Sequence, residues 1–214
     1  MGVLPVLLRG GLRGGDLRRR ADPVRPAAAA ARHRPAGTSE GHGGGVRGAV
    51  AFAAFQAGWF ACVLGAANHA PWLGPGLVAA LALRFLAKGG KGATVYLAAC
   101  AALGFTLDSA LTAGGLLHFP ADGDRRWSPL WMTALWVNLA MFVPAGLRWL
   151  YGRPALAASL GAAGGPAAYW AGQRLGALEW SAPQAAAAVA CEWAAATPAI
   201  VWLASRGETG GRPA

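Results

Sequence analysis

Two carboxylates stand inside long apolar stretches of this chain. Asp108 sits in Gly104-Phe105-Thr106-Leu107-Asp108-Ser109 and Glu192 in Cys191-Glu192-Trp193. An ionisable side chain in hydrocarbon costs at least about 2.5–3.5 kcal/mol at mid-span, so each needs a reason to be there. If the stretches are helices, Asp108, Glu192 and Asn138 all fall roughly 12–16 Å below the same face of a bilayer. Asn68 and His69 close the first apolar stretch at that face. These five residues form a candidate polar pocket. Two carboxyls close together in a low-dielectric region would not both ionise, so one of the pair is expected to hold a proton near neutral pH. Such a pocket could couple protons or hold a lipid headgroup. The structural alternative is that each group is packing glue, hydrogen-bonded to a neighbouring helix for about 0.6 kcal/mol. Matching depth leaves helix azimuth open.

Other chemistries lack their residues. Cys62, Cys100 and Cys191 are single, with no C-x-x-C pair. Only His69 and His118 lie beyond the N-terminal segment, too few for a membrane metal cluster. Gly43, Gly45 and Gly48 satisfy G-x-G-x-x-G, but no strand precedes them; Gly89-Gly90-Lys91-Gly92 lacks the outer residues of a phosphate loop. Ser109 has no histidine in the same stretch nearer than His118. No metal, no cofactor and no catalytic residue is expected, and the reading leans away from an enzyme.

Composition says which elements must position the carboxylates. Apolar residues make up 55% of the 214 and charged ones 13%, about half the charge of a soluble domain. The formal charge is +10, which could suggest nucleic acid, but the basic residues are concentrated at one end. Residues 1–47 hold nine Arg against three acids among Ala, Gly and Pro. That segment reads as a disordered basic tail, or as sequence upstream of a translation start near Val46 or Val50. The expected partners are membrane lipids, with other membrane proteins as a further class, and not nucleic acid. Six apolar stretches follow, at about 48–67, 72–87, 93–117, 129–149, 154–176 and 184–204. The second opens on Pro71-Trp72-Leu73-Gly74-Pro75 and is the shortest. Together they predict an all-α polytopic membrane bundle over 48–205, with a short cytoplasmic tail at 206–214.

The loops give an orientation. With the N-terminus inside, the inner connections carry Arg47, Lys88, Lys91, Arg148, Arg153, Arg206 and Arg212, and the outer ones only Arg125, Arg126 and Arg174. This fits the positive-inside rule with both termini cytoplasmic. Arg84 lies one helical turn from Lys88 and reads as a snorkelling anchor. Trp72, Trp127, Trp131, Trp149, Trp180 and Trp202 fall near stretch ends, as an interfacial belt would. Gly161 and Gly165 form a G-x-x-x-G step, read as a packing face within the bundle rather than between copies. Gln56 reads as glue.

The run Gln56-Ala57-Gly58-Trp59-Phe60-Ala61-Cys62-Val63-Leu64-Gly65-Ala66-Ala67, then His69 and Pro71-Trp72-Leu73-Gly74-Pro75, resembles the domain-of-unknown-function 2878 family (DUF2878) of bacterial inner-membrane proteins. Further likenesses are the Gly104–Ser109 run, Pro129-Leu130-Trp131-Met132, Leu147-Arg148-Trp149-Leu150 and Gly164-Gly165-Pro166-Ala167-Ala168-Tyr169. They extend over about 50–204. Where similar proteins have a polar Asn-His-Ser stretch, this chain has Pro144-Ala145-Gly146, so a site built on it would be incomplete here. The resemblance implies an uncharacterised multi-span protein of a bacterial inner membrane. Three functional readings follow: a non-enzymatic role in membrane lipid or envelope homeostasis, a small proton-coupled carrier, or an intramembrane lipid-modifying enzyme. The last lacks a nucleophile or metal.

Overall fold

The computed structural model describes residues 40–209. They form an all-α bundle of five helices: α1 (Glu40–Ala67), α2 (Leu73–Ala113), α3 (Leu130–Gly146), α4 (Pro154–Arg174) and α5 (Ala185–Thr209). Of the expected tail, residues 1–39 lie outside the described residues, while 40–47 are the first turns of α1. The expected C-terminal tail is helical to Thr209, and 210–214 lie outside.

Five helices carry six arms. The second and third expected stretches are both in α2, which is broken at Gly90, where φ is 60° and ψ is −159°. Contacts on either side show that the chain reverses there. Gly74 packs on the backbone of Cys62, and Ala51 and Ala54 share a crevice with Leu81 and Arg84, so the first arm (73–89) runs antiparallel to α1. The Tyr96 hydroxyl donates to the Ala140 carbonyl (2.9 Å) and the Ser128 amide to Ser109 Oγ (2.9 Å), so the second arm (91–113) runs antiparallel to α3. Asn138 donates to the Phe55 carbonyl (2.8 Å), which puts the middle of α1, α3 and both arms at one level. Residues near 80 and near 100 are therefore side by side, and Gly90 is the turn between them. A backbone in that region is accessible essentially to glycine alone.

The α1–α2 connection has its own reversal. His69 takes φ 57°. Its amide bonds the Ala66 carbonyl (3.3 Å), and the Ala70 amide bonds that of Gly65 (2.8 Å). This is a Schellman cap with His69 in the left-handed position. Pro75 falls in the first turn of α2, where its missing N–H costs nothing.

α3 is the axis. Trp131, Met132, Ala134, Trp136, Asn138, Ala140 and Val143 are buried around it, because α1, α2 and α5 all pack on it. α4 pairs with α5 through the stripe Ala157, Gly161, Gly165 and Tyr169, an i+4 series whose small residues bring backbones close. At the end away from Gly90, two short strands, Leu117–His118 and Glu179–Trp180, pair antiparallel and tie the α2–α3 and α4–α5 connections together.

The polarity is inverted relative to a water-soluble protein. Leu83 and Val95 are 71% and 70% exposed, with Phe52, Phe60, Leu64, Phe105 and Leu160 also outward, while Asp108, Asn138, Glu192 and Thr197 are buried. Three helices, Gly48–Ala67, Leu73–Ala113 and Ala185–Gly207, are long and apolar enough to cross a membrane, and Leu130–Gly146 is shorter but apolar. Trp72, Trp127, Trp149 and Trp202 are exposed, as a belt requires. Trp131 is not part of it: it is buried against Phe119 (centroids 5.6 Å) and donates to Asp122 Oδ2 (3.0 Å).

Substituting Gly90→Ala forces a side chain into the strained region and is expected to cost about 1–3 kcal/mol. Gly92→Ala, which meets open space, is expected to be neutral or stabilising by up to about 1 kcal/mol. Thermal unfolding of the two variants in detergent checks this; equal midpoints would contradict a reversal at Gly90.

Candidate functional site: a buried carboxyl pair beside an apolar groove

Asp108 lies on the buried stripe of the second arm of α2, with Tyr96, Leu97, Cys100, Gly104 and Thr112. The spacing of three to four residues faces them all inward. It is 0% exposed. A carboxylate without water must take its donors from protein, and Asp108 has two from other helices. Trp136 Nε1 of α3 donates to Oδ2 (2.7 Å), and the Tyr169 hydroxyl of α4 donates to Oδ1.

Two glycines make this possible. The Trp136 indole occupies the space where a Cβ of Gly104 would be, so its N–H reaches Asp108 one turn further along. Gly165 likewise takes the Trp193 indole, one turn before Tyr169. The two indoles stack at 4.6 Å and 18°, and Tyr169 meets Trp193 edge-on at 6.4 Å. Each of two helices therefore offers a glycine under an indole and, four residues later, a polar group to the shared centre.

Glu192 of α5 completes it. Its side chain is 7% exposed and close enough to Asp108 for the two carboxyls to interact electrostatically. As a bare carboxylate it finds no donor at either oxygen. A carboxylic acid, unlike a carboxylate, has a proton to donate to a neighbouring acceptor.

The other expected pocket residues lie elsewhere. Asn138 is two residues from Trp136, about 200° round the helix, and so faces α1, where it fills the space over Gly58. Asn68 and His69 are exposed in the α1–α2 turn, Asn68 capping the Leu64 carbonyl (2.8 Å) and His69 forming the reversal. Gly161 and Gly165 contact Thr197 and Trp193 of α5, so their face is used within the chain. Among the described residues, no three of His, Cys, Asp and Glu come together as metal ligands.

Behind the aromatic wall runs an apolar groove of about 530 Å³. α1 and α4 flank α3 without substantial packing on each other, which leaves the gap open along α3 from Trp131 to Leu147. Its walls include Gln56, Trp59, Leu139, Gly164 and Ala168, and Trp136, Tyr169 and Trp193 separate it from the carboxyls. Thr197 Oγ1, on the same wall, is buried against Gly161 without a hydrogen-bond partner.

The sequence pointed to the two carboxylates but not to Trp136, Tyr169 or Trp193. Their signal was spacing: Gly104-x-x-x-Asp108 and Gly165-x-x-x-Tyr169 are the same pattern. Gly104→Ala and Gly165→Ala drive a methyl into an indole and are each expected to cost about 1–3 kcal/mol, whereas Gly164→Ala meets open space and should not. Unfolding midpoints of the three variants decide; a harmless Gly104→Ala would disprove the close indole contact.

Neither a curated protein nor a solved structure matches this chain. A family model, described as Protein of unknown function (DUF2878), matches residues 49–199. That stretch holds both carboxyls, both glycine–indole contacts and the groove, and the chain belongs to this family.

Proposed function

We propose that the chain is a six-crossing protein of a bacterial inner membrane, both termini cytoplasmic, that holds a lipid tail in the groove along α3. Its role is then non-enzymatic, in membrane lipid or envelope homeostasis. The observation that carries this is the groove itself, which lies between helices whose outward faces are apolar. It follows α3 for about 24 Å, longer than the half-thickness a single tail spans in a roughly 30 Å hydrocarbon core. The six arms, alternating in direction, support the crossings, and the reversal at Gly90 puts Lys88 and Lys91 at one end with the N-terminal half of α1. Arg125, Arg126 and Arg174 lie in or beside the connections tied by the strand pair at the other end, which supports the orientation.

The test is the membrane lipid profile of a deletion strain, by mass spectrometry, complemented with wild type or Ala168→Trp at equal expression. Ala168→Trp fills the groove without touching the carboxyls. Restoration by wild type alone is expected; an unchanged profile on deletion, or full restoration by the filled groove, would refute the lipid reading.

The contact between Asp108 and Glu192 favours a second reading, a small proton-coupled carrier. It predicts proton flux into liposomes containing the protein that varies with the imposed pH gradient and is lost in Asp108→Asn. Asparagine keeps one acceptor oxygen where Asp108 has two, so it can serve only one of Tyr169 and Trp136 as the carboxylate does, and it cannot exchange a proton. Flux equal to that of empty liposomes would remove this reading.

A further inference from the structure

A second crevice lies beside α1, with Phe55 between it and the groove. It is about 190 Å³ and is lined by Ala51, Phe55, Arg84, Lys88, Asn138 and Phe142 among others. Arg84 and Lys88 are four residues apart on the first arm of α2, so both cations lie on one helix face, one above the other. Both are exposed, and no acidic side chain lines the crevice with them. The other walls are apolar: Phe142 stacks on Phe55 at 5.0 Å and packs on Phe52 at 6.0 Å. Asn138 forms part of the floor, held by its bond to the Phe55 carbonyl.

The position matters as much as the charge. Lys88 is two residues from the reversal at Gly90, so the cations sit where the hydrocarbon region ends if the arm spans it. A snorkelling anchor needs only one cation and water. Here two cations from one helix stand over a crevice whose remaining walls are aromatic and aliphatic. That combination recognises a phosphate attached to apolar matter: the guanidinium grips phosphate oxygens in pairs, the ammonium adds a point charge, and the rings receive the root of a tail.

We infer that this crevice is a binding site for the phosphate headgroup of an anionic phospholipid, gripped by Arg84 and Lys88 with the tail root against Phe55 and Phe142. The site rests on the membrane placement proposed above; it shares Phe55 with the groove along α3, while Ala168, the groove residue varied above, does not line it. Basic crevices between membrane helices are suited to such headgroups because each nearby cation strengthens attraction to an anionic lipid several-fold.

The experiment uses the full chain in detergent with either phosphatidylglycerol or phosphatidylcholine added, and native mass spectrometry to count retained lipid. Wild type is expected to retain phosphatidylglycerol preferentially. The double variant Arg84→Gln/Lys88→Gln should weaken that retention roughly 30-fold, Arg84→Lys should keep most of it, and Lys91→Gln, beyond the reversal, should leave it unchanged. Equal retention of the two lipids by wild type, or equal loss in Lys91→Gln and the double variant, would overturn the proposal. Complete displacement by millimolar inorganic phosphate would also overturn it, since the site would then hold a free anion. A monodisperse double variant that still loses the preference supports it. A lipid profile unaffected by Ala168→Trp would refute the groove reading and leave this site standing.

Discussion

A carboxylate that no water reaches must be satisfied by the protein, and Asp108 is satisfied by donors from two other helices. Trp136 on α3 and Tyr169 on α4 donate to it, and Glu192 on α5 lies against it. Hydrogen bonds to a charged group are worth about 1.5–3 kcal/mol each, more than the roughly 0.6 kcal/mol typical between membrane helices. In a lipid environment apolar burial does not drive helices together, so such contacts and close packing have to. Both are combined here: Gly104 and Gly165 let two indoles in, and the indoles stack on each other while one of them holds the carboxylate. The arrangement of the second arm of α2, α3, α4 and α5 follows from that centre.

The same centre shapes the rest of the molecule. Holding α4 and α5 on one flank of α3 leaves α1 on the other, and the gap between α1 and α4 is the groove. The groove wall is therefore the back of the carboxyl site, and a molecule seated there would press on Trp136, Tyr169 and Trp193 without meeting either carboxyl. Any influence of a molecule in the groove on the carboxyls would have to pass through these three rings.

Much of the architecture was legible because it is written in long-period features. Apolar stretches, proline and glycine at their ends and the two misplaced carboxylates were enough to read an all-α bundle with Asp108 and Glu192 inside. The separation of the second and third stretches was legible, but not how tight the turn between them is, confined to Gly90, because any residue in that run of glycines and lysines could have formed it. Asn138 was matched to the carboxylates by depth, and depth is blind to azimuth: two residues from Trp136 is the opposite side of a helix. His69 looked like chemistry and is a helix cap, which only its positive φ reveals. Trp131 looked interfacial by position and is buried, because the α2–α3 connection folds over it and supplies Asp122 as an acceptor. The Gly-x-x-x-Asp and Gly-x-x-x-Tyr pair was present in the residues, but its meaning depended on the two tryptophans that fill the glycine sites.

The most direct test of Asp108 as the organising contact is a double-mutant cycle with Tyr169, read from reversible unfolding in mixed micelles. Tyr169→Phe removes one hydroxyl without changing shape, and leaving a buried acceptor short of a donor costs about 1–3 kcal/mol. In the Asp108→Asn background the charge is gone, and the cost of Tyr169→Phe is predicted to fall by about 1 kcal/mol. A cost that is the same in both backgrounds to within about 0.5 kcal/mol would mean that the two side chains act independently, and Asp108 would not be the point on which these helices converge.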